Sequence, residues 1–251
     1  MKKLLIVLAL IPWLSKAQEF KVAKSSGRLE VHLGRVLIEG YNGNEIVFSS
    51  QDGKDAKDER AEGLRAVNGL GLEDNTGLGI NVEQSANAVV VKQLKKVSSP
   101  KIKILVPKGV IVSFQHDSQY GGKVQFKNME NEIEVSAQYN SVELENITGP
   151  MTVKSIYGHV EADFSSTIKS PISIVSVYGY VDITIPSVTK ANLKMDTSYG
   201  EIFVSPDLKF EVSTDGSMVK YSDRVQGKLN GGGDLNIDLS SNYGKIYLRK
   251  K

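Results

Sequence analysis

The stretch Ser155-Ile-Tyr157-Gly158-His-Val160-Glu-Ala162-Asp-Phe164 is answered 21 residues later by Ser176-Val-Tyr178-Gly179-Tyr180-Val181-Asp182-Ile183. Each reads as a turn at Tyr-Gly followed by a strand that alternates apolar and polar residues. The same text recurs on both sides. Tyr120, Tyr139, Tyr157, Tyr178, Tyr199, Tyr221 and Tyr243 stand at intervals of 19, 18, 21, 21, 22 and 22 residues. Gly121, Asn140, Gly158, Gly179, Gly200 and Gly244 follow six of them, and Ser222 follows Tyr221. A period near 20 sustained over six to seven copies predicts a solenoid, in which each unit buries a face that it cannot bury alone.

Each copy has two strands. One precedes the tyrosine, as in Ile133-Glu-Val135, Met151-Thr-Val153, Ile172-Ser-Ile174 and Leu193-Lys-Met195. The other follows it, as in Val142-Glu-Leu144, Val160-Glu-Ala162, Val181-Asp-Ile183, Ile202-Phe-Val204 and Ile246-Tyr-Leu248. Alternation sends the outer pair of each triplet inward and the middle residue outward. Gly or Asn after Tyr suggests a turn with a left-handed backbone. The expected fold is a single-domain all-β solenoid or β-roll with coils of about 20 residues. A β-sandwich of serial hairpins is the alternative, but it needs no constant interval.

The N-terminal half reads as the same architecture with interruptions. Gly27 to Leu33, Val89 to Lys92, Ile102 to Val106 and Val110 to Phe114 are strand-like, with a turn at Pro107-Lys-Gly109. Tyr41 to Phe48 resembles a further copy. Residues 51–80 read as an exposed charged and Gly-rich insertion. Gly231-Gly232-Gly233 reads as a tight turn. Arg249-Lys250-Lys251 reads as a charged block on an edge strand.

Lys2 and Lys3, the apolar run Leu4 to Leu14, and Ser15-Lys16-Ala17 have the order of a secretory signal peptide over residues 1–17, which leaves a domain over 18–251. Eleven apolar residues are too few for a membrane span, which takes about 20. Export sends the chain to the periplasm or the cell surface. The whole chain has 251 residues, 31 basic, 29 acidic and no cysteine. Residues 1–17 hold three basic residues and no acid, so a chain cut there keeps 28 basic against 29 acidic, a net of −1. That balance gives no footprint for nucleic acid. The lack of cysteine excludes disulfides and thiol chemistry.

Chemistry-bearing residues are few. Glu143, Glu161 and Asp182 stand four residues after Tyr, and Glu145 and Asp163 six after. Stacking aligns them about 4.8 Å apart on an outward face. Solvation with lysines such as Lys154 and Lys169, a Ca²⁺ site, and a glycosidase pair are the competing readings, the first favoured. The repeat tyrosines read as a structural ladder. Tyr180 and Tyr247 lie off it on outward positions and are the binding candidates, together with the three carboxylates. His32 and His159 read as solvated, and His116-Asp117-Ser118 has triad residue types in an unusable adjacency. No catalytic residue, metal site or cofactor is expected.

The serial Ser-x-Tyr-Gly-x-Val copies, Glu62-Gly63-Leu64-Arg65, Asp74-Asn-Thr-Gly77-Leu-Gly79, Leu229-Asn-Gly-Gly-Gly233 and the ending Leu239-Ser-Ser-Asn-Tyr243-Gly-Lys-Ile-Tyr247-Leu-Arg-Lys resemble the bacterial putative-adhesin family. This is an exported domain of unknown function in Gram-negative bacteria. The resemblance covers the chain from about residue 20 onward, with Tyr where that family often has Asn. It implies a β-helical or β-roll fold and an envelope location, and it supplies no catalytic residues. The function expected is non-enzymatic, adhesin-like binding of a polymer or protein through outward faces. The alternative is a periplasmic structural or signalling accessory to an envelope protein.

Overall fold

The computed structural model describes residues 18–51, 59–213 and 223–251; the signal-peptide reading, residues 52–58 of the insertion and Tyr221 lie outside these residues. The strands are β1 (Glu19–Val22), β2 (Ser26–His32), β3 (Val36–Tyr41), β4 (Ile46–Ser50), β5 (Ile80–Gln84), β6 (Ala88–Gln93) and β7 (Ile102–Pro107). They continue with β8 (Gly109–His116), β9 (Lys123–Lys127), β10 (Ile133–Ala137), β11 (Ser141–Ile147), β12 (Met151–Ser155), β13 (Val160–Phe164) and β14 (Ile172–Ser176). The remainder are β15 (Val181–Ile185), β16 (Ala191–Thr197), β17 (Ile202–Val204), β18 (Phe210–Val212), β19 (Asp223–Leu229), β20 (Asn236–Ser241) and β21 (Ile246–Lys250). One short 3-10 helix spans Glu59–Ala61. No helix among the described residues is long and apolar enough to cross a membrane.

These strands make two sheets. The first has ten strands in the order β1-β4-β7-β3-β9-β11-β13-β15-β21-β17, and the second has eleven in the order β18-β19-β16-β20-β14-β12-β10-β8-β2-β6-β5. Each coil gives one strand to each sheet, as β12 and β13 do, and coils stack in parallel with matched register. On the second sheet Val112, Ile133, Met151, Ile172, Ile237 and Leu193 form one inward row. On the first, Val124, Val142, Val160, Val181 and Ile246 form its counterpart. All are buried. Each such side chain contributes about 1.5–3 kcal/mol by leaving water, which a cysteine-free chain must rely on. The serial copies thus form the expected solenoid, and parallel pairing sets it apart from a sandwich of hairpins.

Coil order departs from sequence order at both ends. The coil β20/β21 lies between β14/β15 and β16/β17, and β2/β3 lies between β6/β7 and β8/β9. Arg249 and Lys250 are therefore on an interior strand and block no edge. Three of the four edges are antiparallel, β5 on β6, β1 on β4 (itself antiparallel to β7) and β18 on β19, while β17 ends the first sheet parallel to β21. Tyr41 to Phe48 is accordingly no further coil. It spans the end of β3 and the capping strand β4, with the Tyr41 hydroxyl donating to the Glu45 carbonyl. The insertion over 51–80 is exposed at Leu64, Val67 and Leu70, but its last part turns inward, with Thr76, Leu78 and Ile80 buried. Gly231 and Gly232 make the expected turn, with φ of 83° and 81°.

Candidate functional site

The repeat motif is a structural device built on buried hydroxyls. Ser176 Oγ accepts from the Gly179 N–H at 3.0 Å in its own turn and donates to the Gly158 carbonyl on the neighbouring coil at 2.9 Å. Ser155, Ser241 and Thr197 repeat the arrangement with Gly158, Gly244 and Gly200. Both hydroxyl functions are satisfied, as burial demands.

The glycines do not serve a left-handed backbone, contrary to the expectation from sequence. Gly121, Gly158, Gly179, Gly200 and Gly244 are absent from the positive-φ positions. Close approach explains four of them. A Cβ on Gly158 would stand 1.9 Å from the Asn140 carbonyl oxygen, on Gly179 2.4 Å from that of Gly158, on Gly244 2.1 Å from that of Gly179, and on Gly200 1.8 Å from that of Gly244. At Gly121 it would meet the Asn140 side chain at 2.8 Å.

The tyrosine ladder forms in the order Tyr139, Tyr157, Tyr178, Tyr243, Tyr199. Ring centroids are 4.9–5.0 Å apart and successive planes lie within 15°. Tyr120 does not join it. The ladder is both exposed and structural, since all five residues are at least 42% accessible. The three inner rings are sandwiched, so solvent meets their edges and not their faces.

A second row occupies the outer side of the first sheet. Register aligns Gln125, Glu143, Glu161, Asp182, Tyr247 and Phe203 across six strands. Tyr180 enters from the turn slot beside it. Its ring stacks on His159 at 4.6 Å and meets Tyr247 edge-on at 6.2 Å, and Tyr247 stacks on Phe203 at 5.4 Å. Tyr180 and Tyr247 are half-buried. From the sequence Phe203 is only an outward strand residue; its alternation and its register with Tyr247 are the signal that places it here.

Every carboxylate of this row has a partner. Lys123 pairs with Glu143 at 2.5 Å, and Gln125 Nε2 donates to it at 3.0 Å. The Tyr180 hydroxyl donates to Glu161, with His159 Nε2 at 3.9 Å. Arg249 forks onto Asp182 at 2.7 and 2.8 Å. Lys127 pairs with Glu145 at 2.5 Å and Lys251 with Asp163 at 2.9 Å. Lys154 and Lys169, the lysines read from sequence, are not the partners; Lys123, Lys127 and Arg249 lie on adjacent strands of the same sheet, and Lys251 lies just past β21. A groove of about 400 Å³ runs over Glu143, Glu161, Asp182 and Arg249. Burial raises the Glu143 carboxyl, but hydrogen bonds from Lys123 and Gln125 outweigh it and hold the group below its usual value. Burial and the bond to Glu161 push the Tyr180 phenol up to about 12. Among the described residues no three His, Asp or Glu side chains are grouped to hold a metal ion.

The histidines are more engaged than their sequence context suggests. His159 stacks on Tyr180, with Nδ1 3.2 Å from Ser141 Oγ. His116 is buried, with Nδ1 2.9 Å from Asn140 Oδ1. The Asn140 amide nitrogen donates to the Gly34 and Gly122 carbonyls, so its oxygen is the acceptor and His116 Nδ1 carries the proton.

No curated protein sequence matches the chain significantly. A crystal structure described as a putative cell adhesion protein from Clostridium sporogenes is similar at 13% identity and a TM-score of 0.48, covering 94% of this chain and 100% of that one. The Toastrack DUF4097 model matches residues 11–249. That span takes in all the coils described, and the chain belongs to the Toastrack DUF4097 family, a domain of unknown function.

Proposed function

We propose that the protein is a non-enzymatic binding component of the bacterial cell envelope that engages a polymer or protein through the outer side of the first sheet, in the manner of an adhesin. The observation that carries this is the row Glu143, Glu161, Asp182, Tyr247 and Phe203, with Tyr180 beside it. Aromatic and paired polar groups share one side of the sheet there, a composition suited to recognition. The carboxylates are engaged by cations, amide and phenol, which suits a scaffold role better than proton transfer. The ligand touches Tyr180 and Tyr247 first, and Glu143, Glu161 and Asp182 through their partners. The domain is exported.

One observation favours a periplasmic accessory as the second reading. Most ring faces of the ladder are covered by other rings, and Tyr180, Tyr247 and Phe203 each give one face to a stacked neighbour, which reduces the surface on which a sugar would stack. Ring edges and ion pairs suit a protein partner.

Protease treatment of intact cells bearing the tagged protein, with a periplasmic protein as control, separates the two. Digestion while the control survives is expected for adhesion, and a Tyr180→Ala/Tyr247→Ala strain should then adhere no better than a deletion strain. Protection until the outer membrane is opened overturns adhesion in favour of the accessory. Turnover of a polysaccharide that Glu161→Gln abolishes would overturn the non-enzymatic reading.

A further inference from the structure

The two sheets do not end together. Beyond β16 and β17, which belong to one coil, the second sheet continues through β19 to β18, while the first sheet stops at β17. Register puts Val225 beside Met195 and Val212 beside Gly227, on the inward side of the second sheet. No strand of the first sheet faces them among the described residues; Val225 and Phe210 are half-buried against the core, and Val212 is 52% exposed. On β17, Ile202 and Val204 point inward yet are only half-buried, whereas Val181 and Ile183 in the equivalent places are fully buried. At the opposite end the capping strands leave Val22, Ile80 and Val82 buried.

The edge of β17 is also open. Ile246 N donates to the Glu201 carbonyl and Ser205 N to the Leu248 carbonyl, so Glu201, Phe203 and Ser205 face β21. By the alternation of a parallel ladder, the backbone groups of Ile202 and Val204 point away from β21. Both aromatic rows end on this coil, at Tyr199 and Phe203, which remain 66% and 44% exposed.

We propose that this step binds an extended segment of another protein, which adds to β17 as a further strand of the first sheet. The ladders specify the segment: Tyr-Gly at the corner, two inward apolar residues, and an aromatic outward between them, as in Tyr243-Gly-Lys-Ile246-Tyr247-Leu248. Such a strand takes the free backbone groups of Ile202 and Val204, covers Val212 and extends both rows of rings. A second copy of this chain fits less well. Two β17 edges related by a two-fold axis meet antiparallel, which sets Tyr199 against the far end of the partner strand and extends neither row.

The probe is a blocked synthetic peptide copying residues 241–250, titrated into the protein spanning 18–251 and followed by amide hydrogen exchange. Saturable binding with new protection of the Ile202 and Val204 amides is expected, with a scrambled peptide inert. Val212→Lys, a change at an exposed position that should leave the melting temperature unaltered, is expected to weaken binding about tenfold or more. Absence of binding overturns the proposal. So does protection confined to other strands, or self-association of the protein alone that protects the same two amides.

Discussion

A methyl group on Gly179 would collide with the Gly158 carbonyl on the next coil, and both partners are backbone in turns that join two parallel ladders. Neither can retreat without disturbing the stack. Gly179→Ala should therefore cost about 2–3 kcal/mol in urea unfolding. Gly231→Ala is the contrast: its Cβ meets nothing within 4 Å, and only the φ of 83° is strained, so about 1 kcal/mol is expected. Tyr180 offers a test by pH. Its phenol is raised from 10.0 to about 12, so between those values the unfolded chain has released a proton that the folded one still holds. Stability contributed by this group is full below pH 10 and falls as pH rises toward 12. Absorbance titration should show one tyrosine ionising late. Tyr180→Phe should flatten the loss of melting temperature across that range.

At the scale of the element, carboxylates on adjacent strands might be expected to repel or to recruit a cation. Lys123, Arg249, Lys127 and Lys251 answer the charge instead, each from another strand of the same sheet or from just past its end. Removing divalent ions with a chelator should leave the melting temperature unchanged. A fall of several degrees, restored by Ca²⁺, would show a site at this row. The strands themselves were legible in the sequence because alternation and the Tyr interval act locally. The carboxylate alignment was legible too, since identical coils in register force it. The cations were not, because Arg249 lies 67 residues from Asp182 and Lys251 lies 88 from Asp163. The role of Gly was misread for a related reason: close approach between coils leaves the same glycine in the sequence as a left-handed turn does.

At the scale of the molecule, equivalence of the coils is what hides their order. Ile174, Leu239 and Met195 occupy one row, with Leu239 between the other two, yet any pair of them would pack as neighbours. Periodicity therefore predicts stacking without saying which coil lies on which. This gives a prediction that a simple repeat array would not share. In such an array a terminal unit touches one neighbour, and its loss shortens the stack. Here β20 bonds to β14 and β16, and β21 to β15 and β17. Deleting residues 236–251 should abolish the cooperative melt and the dispersed amide spectrum altogether.

The same interleaving sets an order in time. A ribosome or an export channel delivers residues 236–251 after the two coils they separate. Those coils match each other in register and could close prematurely, Met195 upon Ile174. The molecule must hold that gap or reopen it until residues 236–251 arrive. Its maturation is then governed by the arrival of residues 236–251 and not by the emergence of each repeat in turn.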